Sequence, residues 1–152
     1  MKKVWDPQCL DVRSFARDGA TISGVTPWAE MSRLSAEQTE PAPGDAGVNW
    51  TLSGYNRDLK GGAHQTWMRV QARAGLRLVC QRCLEPMDQP LEVDRHFRFV
   101  SSEQAAEAED DQAEEDLLVA SHSFNGLTLI EDELILTLPL VPRHTDCQAP
   151  TG

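Results

Sequence analysis

The residue types best suited to chemistry stand in Leu78-Val79-Cys80-Gln81-Arg82-Cys83-Leu84-Glu85-Pro86. Two thiols two residues apart have three readings: half of a zinc site, a redox dithiol, or two small residues at a turn. A second pair lies far downstream, His144 and Cys147 in Arg143-His144-Thr145-Asp146-Cys147. Cys80, Cys83, His144 and Cys147 make a candidate four-ligand set, because three thiolates and an imidazole satisfy a tetrahedral zinc ion. The redox reading needs the pair at a helix N-terminus, where the dipole stabilises a thiolate. Here it follows a strand-like run, which weakens that reading. Zinc is thus the one cofactor the residues suggest.

A second candidate site is basic. Trp67, Arg69, Arg73 and Arg77 alternate along one run, with Arg82, Arg95 and Arg98 close in sequence. Guanidinium groups beside an indole can grip phosphates and stack on bases. The same arginines can instead pair with acids, or form a solvated sheet face. Gly-x-x-x-x-Gly-Lys, Gly-x-Ser-x-Gly and His-Glu-x-x-His are all absent, and the expectation is a protein that is not an enzyme. His64, His96 and His122 have no triad-like setting, and Cys9 reads as a buried helix residue.

The elements that must position these residues are legible from periodicity. Residues 8–18 read as a short helix, capped by Asp11 and stopped by Gly19. Thr21–Val25 is extended. Thr26 and Pro27 suit the N-cap and first position of a second helix, with Trp28, Met31 and Leu34 on one face, fading near Gln38. Val48, Trp50, Leu52 and Gly54 share one face of a strand. Met68 through Cys80 alternate in a longer strand, with Gly75 marking a bend. Leu91, Val93, Arg95, Phe97 and Phe99 alternate in a returning strand, which places the cysteines near a hairpin tip. Leu117-Leu118-Val119 is a further short strand and Asn125-Gly126 a turn. Apolar residues at 127, 130, 134 and 138 predict a final helix, ended by Pro139 and Pro142. On it, Glu131-Asp132-Glu133 reads as a solvated face.

The 152 residues suffice for one domain with its own core, spanning 1–152. No apolar run reaches the roughly 18 residues of a membrane span, and the basic N-terminus lacks the apolar stretch of a signal peptide. The cytoplasm is the expected location. The net charge is −10. From Phe99 through Pro142 there are 11 acids and no Lys or Arg. Residues 101–116 are dense in like charge and read as a disordered acidic loop. The remaining 13 acids nearly balance the 14 bases. A chain so acidic repels phosphates at long range and favours basic protein partners.

These stretches also carry a family resemblance. Cys80-Gln81-Arg82-Cys83-Leu84-Glu85-Pro86, Ile130-Glu131-Asp132-Glu133-Leu134-Ile135-Leu136 and Leu138-Pro139-Leu140-Val141-Pro142-Arg143-His144 resemble the YceD family, once classed as a domain of unknown function. Leu10-Asp11 through Arg17-Asp18-Gly19, and Met31-Ser32-Arg33-Leu34, fit its N-terminal pattern. The resemblance covers nearly the whole chain. It implies a ribosome-assembly factor that supports accumulation of 23S rRNA and of the large subunit. It implies 23S rRNA or its precursor as the partner, contacted directly or through a basic ribosomal protein, with neither membrane nor small-molecule substrate. Some relatives carry further cysteines near the C-terminus, and many continue past the position of Gly152 into a polar tail. The family brings no catalytic residues to this chain. The alternative is a zinc-binding or thiol-redox protein working through Cys80 and Cys83. The expected architecture is α+β: an antiparallel β-sheet of about four to six strands, two or three packed helices and a flexible acidic loop.

Overall fold

A computed structural model describes residues 4–39, 47–59, 61, 62, 64–101 and 116–139. Helix α1 (Val12–Arg17) leads into strand β1 (Thr21–Thr26), a single 3-10 turn (Trp28–Glu30) and the one-turn helix α2 (Ser32–Ser35). Strands β2 (Val48–Asp58), β3 (His64–Val79), β4 (Pro86–Val100) and β5 (Asp116–Val119) follow, and then helix α3 (Gly126–Leu136). The strands form a five-stranded, mostly antiparallel sheet in the order β1-β2-β3-β4-β5, so the fold is α+β as expected.

Contacts along the chain cluster into two compact units. The first comprises Met1–Ser23, Thr51–Gln71 and Asp94–Ile130; the second comprises Gly24–Trp50, Ala72–Val93 and Glu131–Gly152. In the first unit, Leu10, Val12, Phe15, Leu52, Met68, Val70, Phe97 and Ile130 are buried. Asp11 caps α1 by accepting from Ser14 N at 3.3 Å, and Gly19 (φ +59°) ends it. Leu10 and Phe124 exchange a pair of backbone hydrogen bonds at 2.8 Å. In the second unit the core is Met31, Leu34, Val48, Leu76, Leu78, Cys80, Leu91 and Leu134. The alternation of β3 holds without a break: every even residue from Met68 to Cys80 is buried. A Cβ on Gly47 (φ +124°) would run into the Thr26 carbonyl, so only glycine opens β2 there.

Several expectations need correction. The second predicted helix is broken in two. Thr26 belongs to β1, and its hydroxyl accepts from buried Trp50 Nε1 at 2.9 Å instead of capping a helix. Met31 (φ −124°, ψ 59°) then interrupts the run, although Trp28, Met31 and Leu34 are all buried as predicted. The first helix is shorter than 8–18, and Cys9 precedes it, exposed, in a bridge with Asp6. Asn125-Gly126 is not a free turn: Asn125 Oδ1 accepts from Thr128 N at 3.0 Å and caps α3, whose first residue is Gly126.

The sheet is also not wholly antiparallel. β5 runs parallel to β4, with Phe97 beside Asp116 and Val100 beside Val119. A parallel neighbour needs a crossover of a dozen or so residues, and 15 residues separate the two strands. The predicted acidic loop falls almost wholly on residues 102–115, outside the described residues.

Candidate functional site

β3 and β4 place the arginine candidates by simple alternation. The side chains that point away from the buried face are the odd residues of β3 and the even residues of β4. In the first unit, Arg69 makes a two-point contact with Asp94, Nε to Oδ1 at 2.9 Å and Nη2 to Oδ2 at 2.7 Å. That hydrogen bond, followed by the charge of Arg69, holds the Asp94 carboxyl below the usual range and raises Arg69 in turn. In the second unit, Arg73 Nε lies 3.6 Å from Glu92 Oε1, and Arg77 Nε 3.6 Å from Asp88 Oδ1. Each arginine of the β3 run is therefore matched by an acid of β4. Between Arg73 and Arg77, Gly75 has no side chain and lines an open depression of about 540 Å³, together with Asn49, Arg73, Pro90 and Glu92.

Trp67 does not present a stacking surface. It is 6 % exposed. Its Nε1 donates to Gln65 Oε1 at 3.1 Å, and Tyr55 lies stacked against it with ring centroids 6.0 Å apart. The Arg57 guanidinium sits 4.9 Å over the indole centroid. Tyr55 Oη is hydrogen-bonded to His96 Nδ1 at 2.8 Å, and burial raises the phenol pKa. Arg95 is on the opposite face of β4 from Asp94 and His96, with its guanidinium 5.1 Å from the Phe97 ring centroid. Arg98 is half-buried and Arg82 is exposed in the hairpin turn. In the first unit Trp67 is thus buried and Arg69 is paired, and in the second Arg73 and Arg77 each face an acid while Arg82 is exposed.

The thiol candidates lie at the hairpin tip, as predicted. Cys80 ends the buried face of β3 and is fully buried; Cys83 is half-buried. Leu84 N donates to Cys80 O at 2.8 Å and Cys80 N to Glu85 O at 3.0 Å, which closes the turn. Leu84, directly after the second cysteine, has φ +64° and is 63 % exposed. His144 and Cys147 lie outside the described residues. Among the described residues no group of three or more His, Cys, Asp or Glu side chains is placed to hold a metal ion.

The structure overturns the reading of Glu131-Asp132-Glu133 as a solvated face. Glu131 and Glu133 are only 8 % and 7 % exposed. Glu131 Oε2 accepts from the backbone N–H groups of Arg33 (3.0 Å) and Leu34 (3.1 Å), at the start of α2. Its Oε1 accepts from Arg33 Nε at 3.2 Å and pairs with Nη2 at 3.0 Å, while Asp132 Oδ1 takes Arg33 Nη1 at 2.7 Å. The bond to Asp132 is the main cause raising the Arg33 pKa. A carboxylate on α3 thereby satisfies the orphan N–H groups of a helix some hundred residues earlier. The sequence did carry a signal for this. Glu131 stands four residues after Leu127 and three before Leu134, within the apolar stripe and not opposite it.

Together, fold and site define a mostly antiparallel α+β protein with an internally paired charged face, a thiol-bearing hairpin tip and a buried acidic lock. A family profile described as "Large ribosomal RNA subunit accumulation protein YceD" matches residues 68–152. A Haemophilus influenzae protein curated under that same description is 38 % identical over 148 residues, covering 95 % of this chain and 79 % of its own length. The chain belongs to the YceD family. No solved structure matches it. The family description names an accumulation factor and no enzyme class. Among the described residues, no helix is long and apolar enough to cross a membrane.

Proposed function

We propose that this protein supports accumulation of large-subunit ribosomal RNA by holding a basic ribosomal protein, and that RNA is reached through that partner. The role in rRNA accumulation comes from the family. The choice of partner rests on one observation: Arg69, Arg73 and Arg77 each face a β4 carboxylate. An arginine that faces an acid offers a phosphate much less net charge, and the field of a −10 chain opposes RNA approach further. Trp67, shielded by Tyr55 and Arg57, offers no face to a base. The same −10 charge draws in a cationic protein and raises its association rate.

The test is affinity capture of the tagged protein from growing cells, with and without RNase, alongside 23S rRNA quantitation in cells lacking it. The reading expects lowered 23S rRNA on deletion and a ribosomal protein retained after RNase. Loss of every ribosomal protein on RNase treatment, with crosslinks from the β3 arginines to rRNA, would favour direct binding instead. Unchanged 23S rRNA on deletion would remove the accumulation role itself.

A further inference from the structure

Gly75 has no reason within the fold to be a glycine. It stands inside β3, which lies between β2 and β4 in the sheet. Glycine weakens a strand interior, where it marks a bulge, a bend or the close approach of a ligand or another backbone. The alternation of β3 runs through Gly75 unbroken, which excludes a bulge. Its φ is outside the left-handed region, so any residue could adopt the same backbone. A Cβ built on it meets nothing within 4 Å among the described residues. The other described glycines differ. Gly24, Gly47, Gly54 and Gly126 each face an atom that a Cβ would crowd, and Gly19, Gly61 and Gly62 have positive φ. Close approach of something outside the fold is what remains for Gly75. It lines the open depression of about 540 Å³ as bare backbone, and every lining residue belongs to the second unit. Around it stand exposed Asn49, the ring of Pro90, and Arg73 and Glu92. The contact of Arg73 with Glu92 is long, 3.6 Å between exposed side chains, so Glu92 keeps acceptor capacity for a further donor.

We propose that this depression docks an arginine side chain of a cationic protein partner. The guanidinium plate lies over the Gly75 backbone beside the Pro90 ring, and donates to the Glu92 carboxylate and the Asn49 carbonyl. The partner's class rests on the reading of function above; the preference for a guanidinium rests on the depression alone. A planar group needs a floor without a side chain, whereas the compact ammonium of a lysine does not. An aromatic ring also fits over a glycine, but it would lay its negative face beside a carboxylate and use none of the acceptors. The net charge of −10 favours the cation's approach. Arg73 competes with the incoming guanidinium for Glu92, so its removal strengthens docking.

The test titrates the full chain, followed by amide NMR, with a synthetic peptide of alternating glycine and arginine and with its lysine counterpart of equal charge. The arginine peptide should shift the amides of Asn49, Ala74, Gly75, Leu91 and Glu92, and bind more tightly than the lysine peptide. Gly75→Val changes no charge and fills the depression. It should keep or raise the thermal midpoint and weaken the arginine peptide by about tenfold, the mark of a central contact. Glu92→Gln, an exposed change that leaves the core untouched, should weaken it too, and Arg73→Gln should tighten it. Equal binding of the two peptides, or wild-type binding by Gly75→Val, would overturn the proposal. So would a loss of binding in Arg73→Gln, which would point to an anionic ligand. Shifts at the same amides with a single-stranded RNA oligonucleotide and none with the peptide would overturn it in favour of a base, and shifts that grow with protein concentration alone would assign the depression to a second copy. Capture from cells separates this proposal from the functional reading. Ribosomal protein held equally by wild type and Gly75→Val would remove the site and leave that reading standing. Arginine-selective peptide binding, with no ribosomal protein captured by wild type, would keep the site and remove that reading.

Discussion

Arginine meets carboxylate in two settings in this protein, and the contrast separates structure from surface. On β3 and β4 the pairs Arg73–Glu92 and Arg77–Asp88 are long and mostly exposed. At α2 and α3 the partner carboxylate of Arg33 is nearly out of water and also accepts two backbone N–H groups. Exposed pairs gain little in high dielectric, since ordering two long side chains offsets most of the attraction. A buried carboxylate with its donors aligned cannot be removed without stranding those donors. The same chemical pair therefore tunes the surface field in one place and holds the fold in the other.

The largest effect should come from Glu131→Ala. It strands buried Leu34 N and the Arg33 backbone N–H, and chemical denaturation should show a loss of roughly 2–4 kcal/mol. An unchanged midpoint would break the contrast. Thr26→Val is an uncharged companion test. It leaves buried Trp50 Nε1 without its acceptor and should cost roughly 1–3 kcal/mol in the same assay. The double variant Arg73→Ala, Arg77→Ala should change stability by less than about 1 kcal/mol. A loss as large as that of Glu131→Ala would show that the sheet face is structural after all.

The smallest effect is a titration. Asp94 has a depressed pKa in the folded protein, so its pairing with Arg69 stabilises fully above the unfolded carboxylate value of about 3.9. That contribution fades as pH falls through the lower folded value. Arg69→Gln should move the Asp94 carboxyl upward toward the ordinary range, as followed by carbon NMR of the side-chain carboxyl. No movement would mean that the two-point contact does not persist in solution.

Much of the sheet was legible because its signal is local. Alternation along 68–80 and 91–99 depends only on which side of a strand faces the core, and it placed the cysteines at the hairpin tip. Family motifs at the same cysteines and at Ile130–Leu136 pointed to the YceD family. What sequence reading missed depended on distant partners. Thr26 has every local feature of an N-cap, yet its hydroxyl serves Trp50 in another strand. Glu131 reads as a surface acid until the N–H groups of Arg33 and Leu34 are brought to it. The direction of β5 was hidden for the same reason, since four residues fit either orientation and only the length of the preceding connection favours a crossover. The pairing of Arg69, Arg73 and Arg77 with Asp94, Glu92 and Asp88 was hidden in the same way, since it depends on the register of β4 against β3.

The hairpin of β3 and β4 also carries a kinetic consequence. Its two arms, His64–Val79 and Pro86–Val100, are joined by six residues, so they can pair on the microsecond scale at little cost in loop closure. Pairing of β4 with β5 must instead close a 15-residue connection, and docking of Glu131 on Arg33 joins positions nearly a hundred residues apart. Contacts of such sequence separation slow folding. The hairpin is thus positioned to form early and to serve as the template on which β5 is added, while the acidic lock on α2 closes late.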